Sequence, residues 1–87
     1  MTLSSSQTVL TAAAAAVVIS AASATGSRVL VIANAGTNLM HIGPEGVNAS
    51  TGLPVAAGAS ITITVPTNVA IYGFSTVGST AAVLEFS

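Results

Sequence analysis

The chain has no cysteine, no tryptophan and no lysine, and its charged side chains are Arg28, Glu45 and Glu85 alone among 87 residues. Without cysteine, disulfides and thiolate metal sites are excluded. One arginine cannot neutralise a row of phosphates, so nucleic acid is not expected as a partner. Charged residues make up 3% of the chain, against about 25% in an ordinary soluble domain. A small soluble monomer keeps itself dispersed with mixed surface charge, and here the net charge is only −1. Three settings accommodate such a chain: a membrane, a surface covered by copies or partners, or a secreted Ser/Thr-rich domain.

Catalytic chemistry is equally sparse. His41 is the one histidine, and no Asp, Cys or Lys stands near it in sequence. A serine nucleophile needs a base and usually an orienting group. The only acids are Glu45 and Glu85, and nothing resembles a nucleophile elbow. One His and two Glu show no metal-ligand spacing, and no Gly-rich phosphate loop is present. The expectation is no enzyme, no metal and no cofactor, with His41 a half-buried strand residue hydrogen-bonded to backbone.

What the chain does contain is 52% apolar residues, much of it Ala and Val, punctuated by Gly, Pro and Asn. The stretch Ser27 to Pro44 organises the reading. Two β-branched runs, Val29–Ala33 and Leu39–Ile42, flank Asn34, Ala35, Gly36, Thr37 and Asn38, which predicts a β-hairpin. Arg28–Asn34 is apolar on both faces, as in a strand buried centrally or beneath a subunit contact. Gly43-Pro44-Glu45-Gly46 predicts a tight turn with Pro at its second position. Gly26, Gly36, Gly43 and Gly58 are read as turn glycines.

Ser60–Val65 has the cleanest alternation, putting Ile61, Ile63 and Val65 on a core face and Thr62 and Thr64 on the other. Val69–Phe74 and Thr80–Phe86 follow as strands, with Tyr72 and Phe74 sharing a face, and Leu53–Val55 predicts a short one. Two aromatics on one face suit a core or an interface, or a sugar-stacking platform. Glu85, on the last strand, is a candidate partner for Arg28, either across strands or across a subunit contact; the alternative leaves both solvated at strand ends.

Residues 1–8 read as a flexible or exchanged N-terminal arm, with residues 9–87 as a single domain. Within Val9–Ala24 the expectation is two extended pieces, about Gln7–Thr11 and Ala15–Ala21, joined through the Ala12–Ala16 run, with helix as runner-up. Ala22-Ser23-Ala24 imitates a signal cleavage site, yet no positive n-region precedes it. The run is also short against the roughly 20 residues of a membrane span. Closely spaced strands with Gly, Pro and Asn turns indicate an all-β sandwich or barrel.

The order Arg28-x-Leu30-x-Ile32-x-Asn34-x-Gly36, then His41-Ile42-Gly43, Val47, Gly52, Ala57-Gly58, Ser60, Thr62-Ile63, Ile71-Tyr72 and Leu84-Glu85 resembles small β-sandwich virion proteins of tailed bacteriophages, of the capsid decoration or cement type. The likeness runs along nearly the whole chain. It departs at His41, where an aromatic such as Tyr is expected, and in the small polar loop before Gly52. The resemblance implies a passive virion subunit on the capsid surface, held by the major capsid protein or another virion protein, and a trimer. Composition supports a homo-oligomer without its number. The combined expectation is a small antiparallel β-sandwich, jelly-roll-like, of seven to eight strands, in a non-enzymatic structural protein. A head–tail, neck or fibre module is the alternative within the virion; a secreted carbohydrate-binding or adhesin-like module and a membrane-anchored protein are the alternatives outside it.

Overall fold

A computed structural model of the chain describes residues 3–10, 16–22 and 26–86. Eight strands follow in order: β1 (Leu3–Leu10), β2 (Val17–Ser20), β3 (Arg28–Asn34), β4 (Met40–Gly43), β5 (Leu53–Val55), β6 (Ser60–Val65), β7 (Ile71–Phe74) and β8 (Ser79–Phe86). They form two four-stranded antiparallel sheets, ordered β1-β8-β3-β6 (sheet A) and β2-β7-β4-β5 (sheet B). The pairs β1–β8, β2–β7, β3–β6 and β4–β5 are those of one long antiparallel ribbon folded over itself. Pairs β3–β8 and β4–β7 then close each sheet. This is an eight-stranded jelly roll, and the expected all-β sandwich is the fold observed.

Two period-2 faces explain the packing. Arg28, Leu30, Ile32 and Asn34 of β3 are buried while Val29, Val31 and Ala33 are half-buried, so the first set points between the sheets. The core comprises Leu10, Ile19, Leu30, Ile32, Met40, Ile42, Val55, Val65, Ala81 and Val83, with Ile61, Ile63 and Ile71 packed against it. On β7 the inward position is Gly73. A Cβ there would collide with Ile19 Cδ1 and come within 2.9 Å of Ile19 Cγ1 and 3.3 Å of Leu10 Cδ1, so those side chains fill the space against bare backbone.

Several sequence expectations are corrected. β3 and β4 do not form a hairpin: they lie in opposite sheets, and residues 35–39 cross between them. Among the described residues the one hairpin between consecutive strands is β4–β5. From Leu3 onward the expected arm is the edge strand β1, paired along its length with β8. Pro44 stands first in its turn, not second, because Val47 N donates to Pro44 O at 3.0 Å. Gly43 is the last residue of β4 and not a turn residue, whereas Gly58 sits between β5 and β6 with φ +80°. The expected link through Ala12–Ala16 falls, apart from Ala16, outside the described residues. Among the described residues no helix is long and apolar enough to cross a membrane.

Candidate functional site

β3 carries a polar residue at each end of its inward face, and each closes one end of the sandwich. Asn34 is 2% exposed and uses its whole side chain. Its Nδ2 donates to Asn38 O at 2.7 Å and Val55 O at 2.8 Å. Its Oδ1 accepts from Gly36 N at 3.1 Å and Ser79 Oγ at 2.6 Å. Its backbone N donates to Ala59 O, and its carbonyl accepts from Gly58 N. Thus one amide ties the β3–β4 crossing to β5, to the β5–β6 corner and to β8. Asn38 Nδ2 extends the tie to Gly78 O at 2.9 Å, and Ser75 Oγ to Leu39 O at 2.8 Å.

Gly36 belongs to this end through close approach. A Cβ at Gly36 would overlap Ser79 Oγ and stand 2.8 Å from Thr80 N. That leaves no room for any other residue.

At the opposite end Arg28 is 2% exposed. Its Nη2 donates to Ala21 O at 2.6 Å, Val69 O at 2.9 Å and Ser20 Oγ at 3.2 Å, and Ser20 Oγ donates to Glu85 Oε1 at 3.5 Å. Arg28 Nε lies 3.5 Å from the same carboxylate oxygen without hydrogen-bond geometry; Nε and Nη1 have no hydrogen-bond partner among the described residues. The contact is therefore a charge pair, with the guanidinium held chiefly by two carbonyls. Arg28 and Glu85 are not solvated at strand ends: they meet between the sheets.

His41 follows a different logic. Its neighbours Met40 and Ile42 point into the core, so its side chain faces out from sheet B, where Pro54 and Phe74 are its cross-strand partners. It is nonetheless 8% exposed, because the loop of residues 44–52 folds over it. A Cβ on Gly52 would sit 2.6 Å from His41 Cβ and 2.7 Å from Val47 Cγ2, and Val47 is itself buried. His41 is thus buried rather than half-buried, and its Nδ1 has no hydrogen-bond partner among the described residues. Tyr72 and Phe74 lie half-buried on the same outer face, and Tyr72 Oη donates to Glu45 Oε2 at 3.3 Å. The structure gathers His41, Tyr72 and Phe74 on one face and Arg28 and Glu85 at one end, and keeps these groups apart. His41 and Glu85 do not share a surface.

The surface that sequence reasoning left unassigned is the outer face of sheet A. Val29, Val31 and Ala33 of β3, with Ala82, Leu84 and Phe86 of β8, are half-buried there. Leu3 and Val9 of β1 are 61% and 70% exposed beside them. A shallow depression of about 350 Å³ runs between Gln7, Val31, Ala33 and Leu84. No ionisable side chain lies on this face, since Arg28 and Glu85 turn inward. The two-faced apolar pattern of Arg28–Asn34 was the signal for it.

No family model, no curated protein and no solved structure matches the chain.

Proposed function

We propose that the chain is a non-enzymatic structural subunit of a tailed-phage virion, a capsid cement protein seated on the major capsid protein, with a head–tail, neck or fibre position as the alternative within the same particle. The observation that carries this reading is the uncharged outer face of sheet A, apolar along its central strands β3 and β8 and edged by Ser, Thr and Gln on β1 and β6, backed by a core tied at both ends. Such a face binds by apolar burial and backbone hydrogen bonds. The residue order that resembles phage decoration proteins supports it further, because Arg28, Leu30, Ile32 and Asn34 are the inward face of the central strand. The jelly roll adds fold-level analogy only, since the same fold serves capsids, lectins and other functions. Nucleic acid remains an unfavoured partner, because the sole arginine is buried.

The test is retention on particles. Gradient-purified virions should contain the chain and keep it through a wash raised from about 0.1 to 1 M salt, a change that shortens the Debye length from about 10 to 3 Å. Absence of the chain from virions would sink the reading. A second reading, a carbohydrate-binding module, draws on Tyr72, Phe74 and His41 sharing the outer face of sheet B. Aromatic faces can stack on sugar rings, and a glycan-binding measurement on the isolated chain decides it.

A further inference from the structure

The four edges of the two sheets are unequally protected. β5 is three residues long and carries Pro54; β2 is four residues long with a register shift between Val18 and Ser20. Short strands, prolines and bulges are the devices that keep an edge from pairing with another chain. β6 presents six residues whose outward side chains are Ser60, Thr62 and Thr64. β1 is the longest edge at eight residues, LSSSQTVL, without proline, charge or bulge. Among the described residues its outer edge pairs with no strand. It also bears two large exposed apolar side chains, Leu3 and Val9, on the outer face.

We infer that β1 is a homodimerisation edge: β1 of one copy pairs antiparallel with β1 of a second copy, through a two-fold axis passing at Ser6. A two-fold perpendicular to the sheet keeps the outer faces of both copies on one side, so each residue must meet one of its own face. Centring on Ser6 places Leu3 against Val9 of the second copy, twice by symmetry. Ser5 then meets Gln7, Ser4 meets Thr8, and Ser6 meets itself. In β1 alternate residues aim their backbone groups at β8, and the others aim outward. Because this register pairs like parity with like, the outward set meets the outward set of the partner. A register centred on Ser5 sets Leu3 against Gln7, and one centred on Gln7 sets Val9 against Ser5, so neither brings the two exposed apolar side chains together.

A second copy is the occupant because the edge and its outer face hold no charge, so identical surfaces meet without repulsion. Main-chain hydrogen bonds supply affinity, as in other strand additions, and the two sheets A become one, their apolar faces continuous. The contact is isologous and closes on itself. It gives the homo-oligomer a dimeric contact, in place of the trimer that the resemblance implies. The test uses the isolated chain, so its failure leaves the virion reading untouched.

With no native cysteine, Ser6→Cys introduces a single thiol at the proposed axis. Mild oxidation should convert this variant to a disulfide-linked dimer, whereas Thr62→Cys on β6 should form no disulfide-linked dimer. In sedimentation, Val9→Lys should weaken dimerisation about tenfold or more with an unchanged far-ultraviolet spectrum. The double variant Leu3→Glu/Val9→Lys sets opposite charges face to face and should bring the dimer back to within about threefold. A monomeric wild-type chain, equal cross-linking from β1 and β6, failure of the double variant to restore association, or open-ended polymers would each overturn the proposal.

Discussion

Glu85 is paired across β3–β8 with Leu30, yet its Oε1 reaches the diagonal neighbour, Arg28 Nε, at 3.5 Å. Leu30 and Ile32 fill the middle of the inward face of β3, and the charge is pushed to the end of the sandwich. Breaking a buried pair by removing one member typically costs about 3–5 kcal/mol, because the other charge is left uncompensated. Arg28→Ala should fall in that range, since it also strips Ala21 O and Val69 O of their donor. Glu85→Gln instead leaves the buried guanidinium without its counter-charge but with both carbonyl acceptors, and because the carboxylate is 29% exposed and partly screened by water, it should cost less, about 1–3 kcal/mol. Urea titrations of both variants check this; equal costs would mean that the carbonyl contacts contribute nothing.

The Asn34 end offers a sharper test. Asn34→Asp keeps the shape but removes two donors and sets a carboxylate against Asn38 O and Val55 O. Asn34→Ala leaves Ser79 Oγ and both carbonyls without that partner. Unsatisfied buried groups cost about 1–3 kcal/mol each, so both variants should lose more than about 2 kcal/mol, with Asp the worse. Gly36→Ala should also be destabilising, and Ser79→Ala should not rescue it, because Thr80 N at 2.8 Å and Ser79 Cα at 3.0 Å remain in the way. Full rescue by Ser79→Ala, read in thermal melts, would show that the hydroxyl alone set the requirement.

Much of this architecture is legible in the chain, and the part that is not has a specific cause. Alternation in Ser60–Val65 gives the inward face of β6, and the two-sided apolar run gives β3 as a central strand. Period-2 patterns assign faces, however, and not partners. An Asn/Gly-rich link such as residues 35–39 serves a hairpin or a crossing between sheets equally well. The crossing is stabilised by Asn34 binding residues as distant as Val55 and Ser79, which no local window contains. Ser4, Ser5 and Ser6 read as arm because nothing about them favours a strand except β8 alongside. The burial of His41 likewise depends on Gly52 and Val47 returning over it.

Packing separates residues that alternation alone treats alike. Leu30 is wholly enclosed, whereas Ile63, its neighbour in β6, is half-buried because β6 is an edge. Leu30→Ala should therefore cost about 3–5 kcal/mol and Ile63→Ala about 2, within the range for large-to-small core changes. Thr62→Ala, on the outer face, should stay within about 0.5 kcal/mol. Chemical denaturation of the three variants checks the order. A costly Thr62→Ala in the monomer would mean that the outer face is already covered by the chain itself.

His41 carries a buried nitrogen without a partner among the described residues, and such an atom costs stability. His41→Phe removes it and keeps a flat ring beside Phe74 and Pro54. The variant should be within about 1 kcal/mol of the wild type, on either side, since overpacking under the loop opposes the gain. A loss beyond about 2 kcal/mol would mean that the imidazole makes a bond essential to the fold. No activity should disappear with it, and loss of a measured turnover in the folded variant would overturn the non-enzymatic reading.

The two outer faces lead to different biology, and one pair of substitutions separates them. Val31 stands at the middle of the apolar face, between Leu84 of β8 and Thr62 of β6; Tyr72 stands on the face of sheet B, between Gly43 and Val18. Neither is part of the enclosed core, so Val31→Glu and Tyr72→Ala should both fold. A carboxylate at the centre of an apolar contact must be desolvated without a partner, which costs at least several kcal/mol. Val31→Glu should therefore abolish retention on particles, while Tyr72→Ala leaves it intact. A glycan-binding module responds in reverse, losing its ligand with Tyr72→Ala and ignoring Val31→Glu. Measuring both variants for particle retention and for glycan binding assigns the working face, because each reading requires one variant to fail where the other succeeds.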